Sequence, residues 1–147
     1  MKYHQINSNL FVKNRRKFTE AMKPNSVAVF NSNDIYPISA DSTMPFAQHR
    51  DIFYLSGVDQ EESILLLFPD APYENQKEIL FLKETSEHIA IWEGEKLTKE
   101  RAFQVSGIRT VYWLQDFHKI LNEMMTYADT MYINTNEHYR AAVETET

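Results

Sequence analysis

Ser63-Ile64-Leu65-Leu66-Leu67-Phe68, stopped by Pro69, is the stretch on which the fold turns. A continuous apolar run this short, closed by proline, reads as a strand buried on both faces and so central to a sheet. Pro69 to Lys77 is rich in turn residues and leads into Ile79-Leu80-Phe81-Leu82, which makes the two runs neighbouring strands joined by a long turn. Upstream, Ser26-Val27-Ala28-Val29-Phe30 reads as a short buried strand, and Asn31 to Pro37 as a loop. Thr110-Val111-Tyr112-Trp113 and Thr130-Met131-Tyr132-Ile133 read as two more strands. Helical signals alternate with these. From Leu10 to Met22, Phe11, Phe18 and Met22 form a helical stripe, with Lys13, Arg15, Arg16 and Lys17 mostly outside it and Pro24 as the stop. Thr98 suits the cap of a helix through Val105, with Gly107 at the left-handed position beyond its end. Phe117, Ile120, Leu121, Met124 and Met125 follow the spacing of one helix face. The series predicts an α/β layer fold, a mixed β-sheet flanked by helices, in one domain without internal repeat or linker.

Composition narrows the function classes. A chain of 147 residues is long enough for a single core of two or three layers. Its net charge of −6 argues against a general nucleic-acid binder, which would show a basic face. Cysteine is absent, which removes disulfides, thiol catalysis and cysteine metal sites. The first residues, MKYHQINSNLFVKNRRKF, lack the apolar core of a signal peptide, and no run approaches the roughly 18 apolar residues of a membrane span. A cytoplasmic protein without a membrane partner is the expectation.

Catalytic patterns are missing as well. His4, His49, His88, His118 and His138 include no pair at the ligand spacing of a zinc hydrolase. His118 reads as a surface or boundary residue and His88 as part of a polar turn. With three glycines in the chain there is no phosphate-cradling or dinucleotide loop, and no serine sits in a nucleophile elbow. Glu61 and Glu62, if in a strand, would point to opposite faces and so not share a metal. Glu84, Glu87, Glu93, Glu95 and Glu100 read as solvent-facing charge. The chain alone does not carry the constellation of an enzyme.

From Ser39 to Gly57 the chain runs SADSTMPFAQHRDIFYLSG. Ala40-Asp41-Ser42, Pro45-Phe46, Gln48, Asp51 and Phe53-Tyr54-Leu55-Ser56-Gly57 resemble the N-terminal domain signature of Xaa-Pro aminopeptidases (aminopeptidase P). Glu61-Glu62-Ser63-Ile64-Leu65-Leu66-Leu67 occupies the place of that family's next strand. Ile91-Trp92-Glu93-Gly94-Glu95-Lys96-Leu97 is similar to its tryptophan-glycine segment. The resemblance runs from the Arg15-Arg16 helix to about Tyr139. It departs from the family pattern at Met44 and Ala47, where tyrosine and arginine are usual, with Arg50 close enough in sequence to substitute for the arginine.

The resemblance implies a creatinase/prolidase-type N-terminal domain, with a ribonuclease H-like motif, spanning residues 1–147. In that family a downstream domain of the pita-bread fold holds a dinuclear metal centre, usually manganese, and removes an N-terminal residue that precedes proline. That domain is expected to be absent from this chain, which is then inactive alone and without a cofactor, Val143 to Thr147 beginning the interdomain connection. The implied partners are the chain's own catalytic domain, further copies in a homo-oligomer, and a peptide substrate. Two residues carry over as substrate-binding candidates. Trp92 corresponds to a loop tryptophan that reaches a neighbouring subunit's active site, or else anchors its own loop. Asp41 corresponds to an aspartate near the domain interface that can pair with an arginine of the catalytic domain, or else is an ordinary turn residue. A contribution to oligomerisation and substrate access is the function implied. A peptide- or protein-binding module from a catalytically inactive relative is the alternative, and an unrelated α/β domain the plainest reading.

Overall fold

The structure is a computed structural model that describes residues 6–32, 37–39, 42–43, 50–86 and 96–133. Seven strands are described: β1 (Ser26–Asn31), β2 (Pro37–Ser39), β3 (Ser42–Thr43), β4 (Ile64–Leu67), β5 (Glu78–Leu82), β6 (Thr110–Trp113) and β7 (Thr130–Ile133). Four helices accompany them: α1 (Ser8–Glu20), α2 (Arg50–Ser56), α3 (Lys99–Ser106) and α4 (Phe117–Met125). The main sheet has the order β6-β5-β4-β1-β7, and β2 pairs with β3 as a separate ribbon. The Ser63–Phe68 run therefore supplies the middle strand, as its unbroken apolar character requires. β4 is antiparallel to both β1 and β5, whereas β7 lies parallel to β1 and β6 parallel to β5. Four strands thus point one way and β4 the other.

Alternation along the strands divides the core in two. Ala28, Phe30, Leu65, Leu67, Leu80, Leu82 and Val111 face the layer of α1, α2 and α3, where Ile52, Leu55, Val58, Ala102 and Ile108 close over them. Val27, Val29, Leu66, Phe68, Ile79 and Phe81 face α4, whose Met124 is fully buried among them. Phe117 of α4 meets Phe81 edge to face at 5.1 Å, and Tyr112 stacks on Phe81 at 6.0 Å. The predicted stripe of α4 holds except at Met125, which is exposed because it lies on the rim of the face.

Three expectations are corrected. Arg15, read as lying mostly outside the apolar stripe of α1, is completely buried. α2 occupies the end of the Ser39–Gly57 stretch, where no helix was read, because a helix of 7 residues leaves too few turns for a periodic signal. Part of the predicted Asn31–Pro37 loop is strand, with Asn31 ending β1 and Pro37 beginning β2; residues 33–36 lie outside the described residues.

The ends of α2 and α3 repeat one device. Ser56 Oγ donates to the Ile52 carbonyl (2.6 Å) and accepts from the Val58 amide (3.1 Å). Ser106 Oγ donates to the Ala102 carbonyl (2.7 Å) and accepts from the Ile108 amide (3.0 Å). In both, the following glycine turns left-handed, Gly57 at φ 73° and Gly107 at φ 78°, and its amide bonds back to the carbonyl of Phe53 or Phe103. IFYLSGV and AFQVSGI thus end their helices with the same Ser-Gly cap. α1 rests on both caps: a Cβ at Gly57 would lie 2.4 Å from the Phe11 ring, and one at Gly107 would lie 2.7 Å from Val12 Cγ2.

Candidate functional site

Strand direction selects one edge of the sheet. β1, β5, β6 and β7 all end there, beside the start of β4, since Asn31 pairs with Ile64, Ile64 with Phe81, Leu82 with Trp113 and Val29 with Ile133. In open α/β sheets the carboxyl ends of the parallel strands are where ligands are met. The chain between β1 and α2 leaves from this edge, as does the chain between β5 and α3, and β7 delivers the chain to it at Ile133. The opposite edge is tied shut around Asn25. Its amide bonds Asp70 (2.7 Å), its side chain bonds the Tyr127 carbonyl (2.6 Å) and its own carbonyl accepts from Asp129 (2.9 Å).

The turn before β4 organises the open edge. Ser63 Oγ donates to the Gln60 carbonyl (2.7 Å), and the Ser63 backbone exchanges bonds with Ser32 at 2.9 and 3.0 Å, so the turn is fixed to the sheet. Glu61 and Glu62 lie in this turn and not in a strand, with Glu62 at φ 55°. Their carboxylates diverge: Glu61 pairs with Lys96 and Glu62 with Lys83 (3.6 Å). Gln60 Oε1 accepts from the Leu97 amide at 2.9 Å. The hydrogen bond from Lys96 holds the Glu61 carboxyl below its ordinary value, against the opposing push of partial burial. Next to it, Gln115 donates to Glu84 (2.6 Å), and Lys99 sits 4.9 Å from the Trp113 ring centre.

A second feature lies on the outer side of α1 and α2. Ile6, Leu10, Phe11, Asn14, Phe53, Tyr54 and Asp59 line an open cleft of about 420 Å³. Tyr54 is half exposed and Phe53 over a third exposed, so the two aromatics of the FYLSG signature face outward while Leu55 and Ser56 are buried. α2 is held in this pose from below. Asn14 donates to the Tyr54 carbonyl (2.9 Å) and Arg15 Nη1 to the Leu55 carbonyl (2.8 Å), two groups that a helix end leaves without intrahelical partners. Arg15 Nε pairs with Glu78 at 2.8 Å.

Asp41 and Trp92 lie outside the described residues, as do Met44, Ala47 and the Arg50 side chain, His4, His49, His88 and His138, and Glu87, Glu93 and Glu95. The structure brings together the flanks of the chain that carries Trp92, through Lys83, Lys96 and Leu97. His118 is exposed on α4, and Glu84 and Glu100 are exposed. Among the described residues no group of three or more histidine, aspartate or glutamate side chains could hold a metal, so a metal centre does not fit them. No helix among them is long and apolar enough to cross a membrane. Sequence reasoning missed the pairing of the Glu61-Glu62 turn with Lys83 and Lys96. A run of adjacent acids followed by lysines at two chain ends gives no periodic signal.

Comparison with known proteins agrees with this architecture. The family model described as "Aminopeptidase P, N-terminal domain" matches residues 11–133. The Xaa-Pro aminopeptidase of Escherichia coli K12 is 25% identical over 139 residues, which cover 95% of this chain and 31% of that protein. The Xaa-Pro aminopeptidase of Haemophilus influenzae is 28% identical over 122 residues, covering 83% of this chain and 28% of that protein. Among solved structures, Pseudomonas aeruginosa aminopeptidase PepP superposes with a TM-score of 0.80 at 22% identity, over 91% of this chain and 30% of the other. Aminopeptidase P from E. coli in its low-pH form gives 0.78 at 24% identity, over 95% and 31%. The chain thus spans under a third of the length of these relatives, at the amino-terminal domain the family model describes. With the family model matching residues 11–133, this chain belongs to the aminopeptidase P N-terminal domain family.

Proposed function

We propose that this chain is the non-catalytic N-terminal domain of a metal-dependent Xaa-Pro aminopeptidase, serving substrate access and oligomerisation. The observation that carries the reading is the shared sheet edge: both excursions that hold the family residues Asp41 and Trp92 leave from it, and β7 hands the chain on from it. In this reading a catalytic domain downstream of this one packs against that edge. The two divalent metals, manganese or similar, and the hydrolytic step then belong to that downstream domain. This domain contributes surface: an indole beside the substrate that excludes water, and an aspartate for an arginine across the domain boundary.

The test is hydrolysis of an Xaa-Pro peptide with Mn²⁺. The 147-residue chain should release no amino acid, whereas the protein carrying the downstream domain should. Cleavage by this chain alone overturns the assignment. In the longer protein, Trp92→Ala should raise KM or lower kcat/KM for longer peptides, and unchanged kinetics with intact oligomerisation overturns the role of Trp92. The α1–α2 cleft favours a second reading, a peptide- or protein-binding module of an inactive relative, because it leaves Ile6, Leu10, Phe53 and Tyr54 exposed together. Downstream sequence lacking the two aspartates, one histidine and two glutamates of the metal centre would select that reading.

A further inference from the structure

We propose that the outer face of α1 is a self-pairing surface: two copies of this chain dock antiparallel over the α1–α2 cleft, with Lys13 and Lys17 of each reaching Asp59 of the partner subunit. Ile6 stands just before α1, and Leu10, Lys13 and Lys17 follow it at steps of four, three and four residues. Such steps keep side chains on one face of a helix. All four are exposed, whereas Phe11, Asn14 and Arg15 on the other side of α1 are buried. The stripe therefore has an apolar amino-terminal half and a cationic carboxyl-terminal half. α2 widens the apolar half into the cleft of about 420 Å³ by adding Phe53 and Tyr54. Among the described residues, Asp59 is the carboxylate that lines this cleft, and it is exposed. Lys13, Lys17 and Asp59 form no ion pair with any described residue, so their charges are left for a partner.

Charge selects the occupant. A surface that covers this cleft must offer apolar groups with cations toward Asp59, and the other half of the same stripe offers both. A two-fold axis between Leu10 and Lys13 reverses the second α1. It sets Leu10 opposite Lys13, and Ile6 opposite Lys17, of the partner subunit. Lysine stems then lie over the apolar side chains while the ammonium groups reach the carboxylate. The symmetry repeats each contact on both sides of the axis. A parallel pairing would instead set lysines against lysines, which like-charge repulsion disfavours. From Ile6 to Lys17 the stripe is only about 16 Å long at the helical rise. So short a contact makes a weak dimer that forms with concentration, not a permanent one.

This surface rests on the oligomerisation part of the proposed function, and sedimentation velocity separates the two. The 147-residue chain, loaded from about 5 to 500 µM, should climb from the mass of one chain toward that of two. Lys13→Glu combined with Lys17→Glu, and separately Asp59→Lys, should each weaken the dimer at least about tenfold, because each sets like charges face to face. Mixing these two variants in equal amounts should restore dimerisation. The mixed pair regains opposite charges on both sides of the axis, and its recovery shows that both variants fold. A dimer that both variants leave intact overturns this face and leaves oligomerisation to another surface, as does a weakened dimer that mixing fails to restore. A chain that stays monomeric throughout overturns the second copy as occupant and the oligomerising role of this domain together, and leaves the cleft to a foreign peptide.

Discussion

Arg15 enters the interior from α1 with a guanidinium that water does not reach, bonded through Nε to Glu78 and through Nη1 to the Leu55 carbonyl. Its Nη2 finds no partner among the described residues and lies against Gly107. A buried cation is costly unless its geometry is good, and here the planar fork reaches an acid on β5 and a helix end at once. Lysine offers one nitrogen on a different geometry. Arg15→Lys should therefore lower the unfolding free energy by about 2 kcal/mol. Arg15→Met, which strands the Leu55 carbonyl, should lower it by about 3 kcal/mol. Urea titration checks both, and a loss within about 0.5 kcal/mol, the range of an ordinary surface substitution, would mean the staple contributes nothing. The Glu78 side chain is 38% exposed, so most of the loss is expected from the carbonyl and the packing. None of this was legible in the sequence. A pattern of apolar spacing assigns every arginine to the outside, and the two partners lie 40 and 63 residues away.

At the scale of elements, α2 and α3 end alike but are covered differently by α1. The ring of Phe11 fills the space a Cβ would take at Gly57, and Phe11 is itself core, 3% exposed and edge to face with Phe53 at 6.0 Å. At Gly107 the obstacle is the Val12 methyl, 2.7 Å away on a half-buried side chain rather than a core ring. Both glycines carry the left-handed backbone cost, so the clash decides the order. Gly57→Ala should cost about 3 kcal/mol and Gly107→Ala about 1–2 kcal/mol. Equal losses in urea titration would refute the argument. Gly107 was readable as a helix end because Thr98, a capping residue, opens a helix-length stretch that closes just before it; the structure then has Thr98 accept from the Arg101 amide. The same cap at Gly57 went unread since α2 is too short to announce itself, although the Ser-Gly-aliphatic wording is shared.

For the whole molecule, the sheet separates two helical layers: α1, α2 and α3 bury one face, and among the described helices α4 covers the other, with Phe117, Ile120 and Leu121 half-buried. Global stability should also respond to acid through Glu61. Its folded value lies below the ordinary 4.5, so its contribution is full above the unfolded value and is lost as pH falls through the lower folded one. Glu61→Gln should flatten that part of the pH–stability curve, by less than about 1 kcal/mol for so partly exposed a pair; a curve unchanged in shape would remove Glu61 from the acid response. The five strands of the main sheet, the burial of β4 on both faces and the α4 stripe were legible in the sequence itself, because alternation and helical spacing are local consequences of which residues avoid water. The FYLSG wording likewise carried the family. Tertiary structure alone decided that Arg15 is core, that the Glu61-Glu62 turn grips two lysines, and that the excursions share one edge. Those outcomes depend on strand order and on partners distant in the chain, which no local pattern encodes.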